Sequence, residues 1–130
     1  MNSVNQTAKA VLNIFVSYLE GKESIKIDYC DSVFMPVYFE LYRTTYLGAI
    51  YSIAHYGTQE GDLMSDPRME FLKLKDGNFV PMLFENHYAG VYQESVIIEA
   101  NTIKCNGRLQ KDHARFANMW MKNIKEQQGI

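Results

Sequence analysis

The two ends of the chain carry apolar residues that recur every three or four positions, the spacing of one buried helix face. In residues 4–19 these are Val4, Ala8, Val11, Leu12, Phe15, Tyr18 and Leu19. Ser3 and Gln6 fit a capping box at the start of this helix, and Gly21 is placed to end it. A second stripe, in residues 109–128, consists of His113, Phe116, Ala117, Trp120, Met121 and Ile124. The pattern therefore predicts a helix at each end.

Between these segments the period changes to two, which is typical of strands. Apolar alternation predicts a short edge strand at Ile25 and Ile27 and longer strands at 37–42, 47–56, 69–75, 79–85 and 91–99. Residues 47–56 are also compatible with a buried helix, but their aromatic and β-branched content favours a strand. Asp76-Gly77 is a hairpin turn signal, and Pro81 places its strand at an edge or in a bulge. Two glycines and an Asp-Pro step predict that residues 57–67 form the main irregular loop. We expect an α+β fold, an antiparallel sheet of about five strands flanked by the two helices.

Length and composition add one constraint each. A chain of 130 residues with 47% apolar and 22% charged residues has the size and character of a single globular domain, so we assign residues 1–130 to one domain.

Charge is distributed unevenly along the chain. Residues 1–100 carry 7 Lys/Arg and 13 Asp/Glu, whereas residues 101–130 carry 6 Lys/Arg and 2 Asp/Glu. The basic last helix either lies beside an acidic sheet or forms a patch for an acidic partner.

The N-terminal residues lack the charged and apolar regions of a signal peptide, and no apolar run has the length of a membrane span. We therefore expect a cytoplasmic protein with no membrane contact. In that compartment Cys30 and Cys105 are expected to be reduced, buried structural thiols.

Two blocks of sequence resemble a known family. Residues 54–71, AHYGTQEGDLMSDPRMEF, are similar to a block of the form AHY…NGDLM.DPEM.F, and residues 114–127, ARFANMWMKNIKEQ, to a tail ending in W.KNIK.QG. Residues 90–94 also fit. The chain thus resembles an uncharacterised family of small proteins from bacterial conjugative and other mobile elements, over roughly residues 36–129. The resemblance implies a bacterial, cytoplasmic, mobile-element context and carries over no catalytic role; an extra glutamine before Gly129 departs from its pattern.

The predicted loop and its flanks concentrate oxygen and nitrogen ligands: His55, Glu60, Asp62, Asp66 and Glu70. Carboxylates suit Ca²⁺ or Mg²⁺, but their spacing does not match the calcium-binding loop. A simpler interpretation is that Asp62 or Asp66 caps a turn. The sequence therefore predicts no metal and no cofactor, and keeps the loop as a candidate recognition segment.

Three histidines are present. His55 and His87 lie at predicted strand ends, where they can approach each other or Glu94, and such a group can transfer protons or hold zinc. No spacing requires this, and a hydrogen-bonded, half-buried imidazole is the simpler interpretation. His113 is expected to be a packing or interface residue.

Tyrosine is the most unusual feature of the composition. Seven of the nine lie in the predicted sheet region: Tyr38, Tyr42, Tyr46, Tyr51, Tyr56, Tyr88 and Tyr92. Tyrosine combines a large ring with a polar tip and is favoured where surfaces meet partners. Tyr38 and Tyr42 share a strand face, so their neighbours either form an aromatic platform or pack under the helices.

Three functional hypotheses follow. The first is a non-enzymatic accessory protein that docks a protein partner, or a second copy of itself, through the aromatic sheet face and loop 57–67. Its tentative binding residues are Tyr38, Tyr42, His55, Tyr56, Asp62, Asp66, Tyr92 and Glu94. The second is a single-stranded nucleic-acid binder that also uses the basic helix, through Arg108, Lys111, Arg115 and Lys122. The third is a small metal-dependent or acid–base enzyme centred on His55, Asp62 and Glu94.

Overall fold

The computed structural model of the chain describes residues 1–28 and 34–130, with Thr58 and Gln59 described through their backbone alone. Helix α1 spans Gln6–Leu19 and helix α2 spans Gly107–Gln128. Eight strands lie between them: β1 Ser24–Ile27, β2 Val37–Thr45, β3 Gly48–Gln59, β4 Asp62–Leu74, β5 Phe79–Asn86, β6 Val91–Glu94, β7 Val96–Ile98 and β8 Ile103–Cys105. The predicted α+β class with a helix at each end is confirmed; the assignment to one domain stays a prediction.

The sheet is larger than the five or so strands expected. Strands β1 to β6 form one antiparallel sheet in sequence order, and β7 and β8 form a separate two-stranded sheet. The predicted strand 91–99 is broken at Ser95, whose backbone N–H donates to the carbonyl of Met82 at 2.8 Å. The Ser95 carbonyl in turn accepts from Asn106 N–H. These bonds hold the chain where it leaves the large sheet, so Val96–Ile98 pairs elsewhere.

The prediction of an irregular loop at 57–67 is wrong. Strand β3 continues to Gln59 and β4 starts at Asp62, so the two strands form a long hairpin. Its turn residues, Glu60 and Gly61, have φ values of 52° and 85°, the left-handed pair that a tight two-residue hairpin turn requires. Pro67 is tolerated because the register shifts between Ala54 and Tyr56, which leaves Asp66 and Pro67 in a bulge opposite His55.

Both helices cover the same face of the large sheet. The core between them unites apolar residues of α1, α2 and strands β1 to β5, among them Phe15, Phe39, Ile53, Met69, Phe71, Trp120 and Met121. Because side chains alternate along a strand, their sequence neighbours point to the opposite side. Among the residues described, neither helix combines the length and the apolar character that a membrane-spanning segment requires.

Some local details differ from expectation. Helix α1 is capped by Asn5, whose side chain accepts from Ala8 N–H at 2.9 Å, and not by the predicted box at Ser3. Helix α2 begins two residues earlier than predicted, because Asn106 caps it in the same way. Cys105 is exposed in β8, contrary to the predicted burial, and Cys30 lies outside the described residues.

Candidate functional site

The side of the large sheet away from the helices carries two rows of residues in cross-strand register. One row consists of Lys26, Tyr38, Ala54, Arg68, Glu85 and Tyr92. The next consists of Ser24, Glu40, Ser52, Glu70, Leu83 and Glu94. We call these two rows, together with Tyr42 and Tyr56 but without the buried Leu83, the open face.

The open face does not occupy the whole of this side of the sheet. Farther along the strands, the hairpin of β7 and β8 covers a second apolar cluster. The members of this cluster are Ile50, Leu72, Val80, Met82, Leu83, Val96 and Ile98. One part of the second side is therefore buried under the hairpin, and the other part is the open face.

Arg68 stands at the centre of the open face with two carboxylates. Its guanidinium lies 2.8 Å from Glu70 and 3.4 Å from Glu85, and it donates to Ser52 Oγ at 3.2 Å. Burial alone would lower the pKa of Arg68, but the hydrogen bonds and charges of Glu70 and Glu85 outweigh it and raise that pKa. Arg68 therefore remains charged and ties three strands together.

His87 and Ser65 extend this network at one end. Ser65 Oγ donates to Glu85 at 3.0 Å, and His87 Nδ1 accepts from Ser65 N–H at 3.2 Å. With Nδ1 as the acceptor, the other ring nitrogen carries the proton and lies 3.3 Å from Glu85. The polar side chains beneath the tyrosines thus hold one another in place.

Four tyrosines surround the Arg68 network. Tyr38 and Tyr56 meet edge to face, with ring centroids 5.3 Å apart. Arg68 lies 5.9 Å from the centroid of the Tyr42 ring. Tyr92 donates to Glu94 at 2.8 Å; partial burial, this bond and the charge of Glu94 raise the pKa of Tyr92 to about 12. Tyr42 and Tyr92 expose 53% and 57% of their surface, so the rings are available to a partner.

The structure brings together five of the eight tentative binding residues: Tyr38, Tyr42, Tyr56, Tyr92 and Glu94. His55 lies on the helical side of the sheet, against the ring of Trp120 at 5.5 Å. Its Nδ1 is 3.0 Å from the carbonyl oxygen of Pro36, and burial lowers its pKa despite that bond and the charge of Asp66. The imidazole is therefore a packed core group and does not join the open face.

The two aspartates also lie apart from the open face. Asp62 is exposed beside the turn of the β3–β4 hairpin, and Asp66 accepts from the Asn86 side chain at 3.2 Å. The third hypothesis needs His55, Asp62 and Glu94 in one place, and the structure does not converge them. Within the described ranges, no group of three or more His, Cys, Asp or Glu side chains is arranged to hold a metal ion.

The four basic residues of the nucleic-acid hypothesis are exposed on the outer side of α2: Arg108, Lys111, Arg115 and Lys122. At 100° per residue they fall within about 60° of one another around the helix axis. They therefore form one stripe. Because α2 covers the helical side of the sheet, this stripe and the open face lie on opposite sides of the sheet.

The charged centre of the open face is not among the candidate site residues that the sequence predicts. Arg68 and Glu70 are separated by one residue in a strand, so alternation alone places them on one face. Their other partner, Glu85, is 17 residues away from Arg68 and reaches it only through the register of β4 with β5. Cross-strand register cannot be deduced from one sequence. The sequence therefore predicts that Arg68 and Glu70 share a face, but not that Glu85 joins them.

Comparison with known proteins gives a family. Residues 6–130 match the sequence model of a domain of unknown function (DUF6908). Because the match covers nearly the whole chain, the protein belongs to this family. No curated protein and no solved structure matches the chain.

Proposed function

We propose that the protein is a non-enzymatic interaction protein that docks another protein on its open face. The observation that carries this proposal is that four tyrosines, Tyr38, Tyr42, Tyr56 and Tyr92, surround Arg68. Tyrosine and arginine are enriched where interfaces derive most of their binding energy. Here they lie on a sheet, and hydrogen bonds fix the charged centre beneath them, so little side-chain freedom remains to be lost on binding.

The dimensions of the surface agree with this role. Six strands spaced about 4.8 Å apart give a width of about 24 Å, and an ordinary interface buries about 800 Å² on each partner. The tip of the β3–β4 hairpin adds Leu63, which exposes 64% of its surface. Leu63 pairs with Thr58, two residues beyond Tyr56, so it continues the same side of the sheet. The hairpin that replaces the predicted loop therefore extends the docking surface.

The resemblance to proteins of mobile elements extends the proposal to a context. In this view the chain acts in the bacterial cytoplasm as an accessory protein of such an element, bound to a protein partner or to a second copy of itself. The basic stripe of α2 remains free for a separate contact, since it faces away from the open face.

A photo-crosslinking experiment in the native host tests the docking role. A photoreactive phenylalanine analogue replaces Tyr42 on the open face or, as the matched control, Met119, which is exposed to 51% on α2. We expect one specific protein adduct from position 42, absent from position 119 and weakened by Tyr92→Ala. Identical adducts from both positions, no adduct from position 42, or an adduct with nucleic acid would overturn the proposal.

A further inference from the structure

A depression of about 320 Å³ opens on the open face beside the outermost strand, β1. Its lining residues include Tyr38, Tyr56, Glu40 and Lys26. Two aromatic rings with a neighbouring carboxylate are the groups that attract an organic cation, because a ring face carries partial negative charge.

The open face already holds two cations against tyrosine rings. Lys26 Nζ lies 5.8 Å from the centroid of the Tyr38 ring, and the Arg68 guanidinium lies 5.9 Å from that of Tyr42. The two differ in their surroundings. Glu70 and Glu85 hold Arg68 in place, whereas Lys26 is an exposed residue on an edge strand. The cation over Tyr38 is therefore the one that another cation can replace.

Charge on the open face favours a basic partner. The open face carries four glutamates (Glu40, Glu70, Glu85 and Glu94) and only two cations, Lys26 and Arg68. Arg68 is engaged by Glu70 and Glu85, and among the described residues Glu40 and Glu94 make no ion pair. A docked basic group would thus meet uncompensated negative charge, which steers association and selects against acidic partners.

We propose that the depression receives an arginine side chain from the docked protein, with its guanidinium on the rings of Tyr38 and Tyr56 and its charge beside Glu40. Arginine fits better than lysine because its planar group stacks on rings while it pairs with a carboxylate. In the free protein Lys26 occupies part of this position and is displaced on binding. The inference rests on the proposed function, to which it adds the chemistry of the partner.

A pair of peptides tests the proposal on the full chain. The probes are acetyl-Gly-Arg-Gly-Arg-Gly-amide and the same peptide with citrulline, the uncharged counterpart of arginine, in both arginine positions. Titration followed by NMR should show shifts at Tyr38 and Tyr56 with the arginine peptide. Binding of the citrulline peptide should be weaker by about tenfold, the order expected from losing a cation–π contact with its ion pair. Equal binding of the two, or shifts elsewhere only, would refute the inference.

Three variants separate binding from folding. Glu40→Gln should weaken the arginine peptide severalfold and leave the citrulline peptide unchanged, while the matched control Glu99→Gln, at an exposed acid beside β7, should change neither. Lys26→Met should tighten the arginine peptide, because it removes the competing cation; a merely structural lysine would not have this effect. A weaker or unchanged affinity in Lys26→Met contradicts the proposed displacement.

The two proposals fail in different ways. If the arginine peptide does not bind the wild-type protein, and the adduct from position 42 forms equally well in the Glu40→Gln background, the face docks a partner without this arginine contact. If the peptide binds at Tyr38 and Tyr56 but position 42 gives no protein adduct, the cation site exists and the docking role is wrong.

Discussion

At the scale of single residues, Arg68 shows which contacts hold the charged side chains of the open face in place. Its side chain and those of Glu70 and Glu85 expose only 15%, 8% and 15% of their surface. Removing one partner of such a pair leaves the other charges without compensation in a poorly solvated site, which costs more than the pair itself contributes. The charged network is therefore as much a requirement of folding as of surface chemistry.

We predict that Arg68→Met lowers the free energy of unfolding by about 3 kcal/mol. Adding Glu85→Gln to this variant should restore part of the loss, since it removes one uncompensated carboxylate. Urea unfolding of the single and double variants measures both effects. A loss below about 1 kcal/mol, the range of exposed ion pairs, would show that the network is solvated and weak.

The buried histidines predict how stability changes with pH. Burial lowers the pKa of His113, whose Nδ1 lies 2.8 Å from Ser95 Oγ, and it lowers that of His55 as well. In the unfolded chain both take up a proton near pH 6.5, whereas the folded chain resists it. Their contribution is thus fully present above about pH 6.5 and is lost as the pH falls towards the lowered folded-state values.

We therefore expect the free energy of unfolding to fall between pH 6.5 and 5, and His113→Gln to reduce that slope. Each histidine accounts for at most about 1.4 kcal/mol per pH unit. Urea unfolding of the wild type and the variant at pH 7.5, 6.5, 5.8 and 5.0 gives the two slopes. Parallel slopes would mean that His113 is as easily protonated in the folded chain as in the unfolded one.

At the scale of elements, two of the β-hairpin turns show which turns can be predicted from the sequence and which cannot. Asp76-Gly77 predicted its turn correctly because flanking alternation and a glycine agree. Glu60-Gly61 makes a shorter, two-residue turn, but glutamate rarely adopts a positive φ, and the surrounding Gly57, Asp66 and Pro67 indicate a loop. Long-range pairing of β3 with β4 overrides these local preferences, so the largest hairpin of the sheet was missed.

We predict opposite effects for substitutions at the two turn residues. Glu60→Asn creates the Asn-Gly pair preferred in such turns and should stabilise the fold by about 0.5 kcal/mol. Gly61→Ala adds a Cβ at φ 85° and should destabilise it by about 1 kcal/mol. Thermal unfolding of both variants checks the signs. If both changes are neutral, the hairpin end is frayed in solution.

At the scale of the whole molecule, the two functional surfaces suggested by the sequence lie back to back. The nucleic-acid hypothesis combines the tyrosines and the basic residues of α2 in one site, because the sequence pattern indicates that both sets are exposed. The packing of α2 on the helical side of the sheet separates them. Sequence periodicity shows that a residue is exposed; only the tertiary arrangement shows to which side.

We predict that no oligonucleotide depends on both surfaces. If the chain binds single-stranded DNA at low salt, Lys111→Ala with Arg115→Ala should weaken binding and reduce its salt dependence, while Tyr38→Leu with Tyr42→Leu should leave both unchanged. Fluorescence anisotropy with labelled oligonucleotides measures this. Loss of binding in both double variants would contradict the separation of the two surfaces.

The hairpin of β7 and β8 makes the two ends of the open face different. It rises over the sheet at one end, beyond the row of Ser52 and Glu70, while at the other end the strands run out into the exposed tip around Leu63. An approaching molecule therefore meets a wall on one side and a free margin on the other. A ligand longer than the two rows can extend past the open face only at the end where Leu63 lies. Antibodies or labels on the β7–β8 hairpin should therefore leave docking unobstructed, whereas those at the tip of the β3–β4 hairpin should block it.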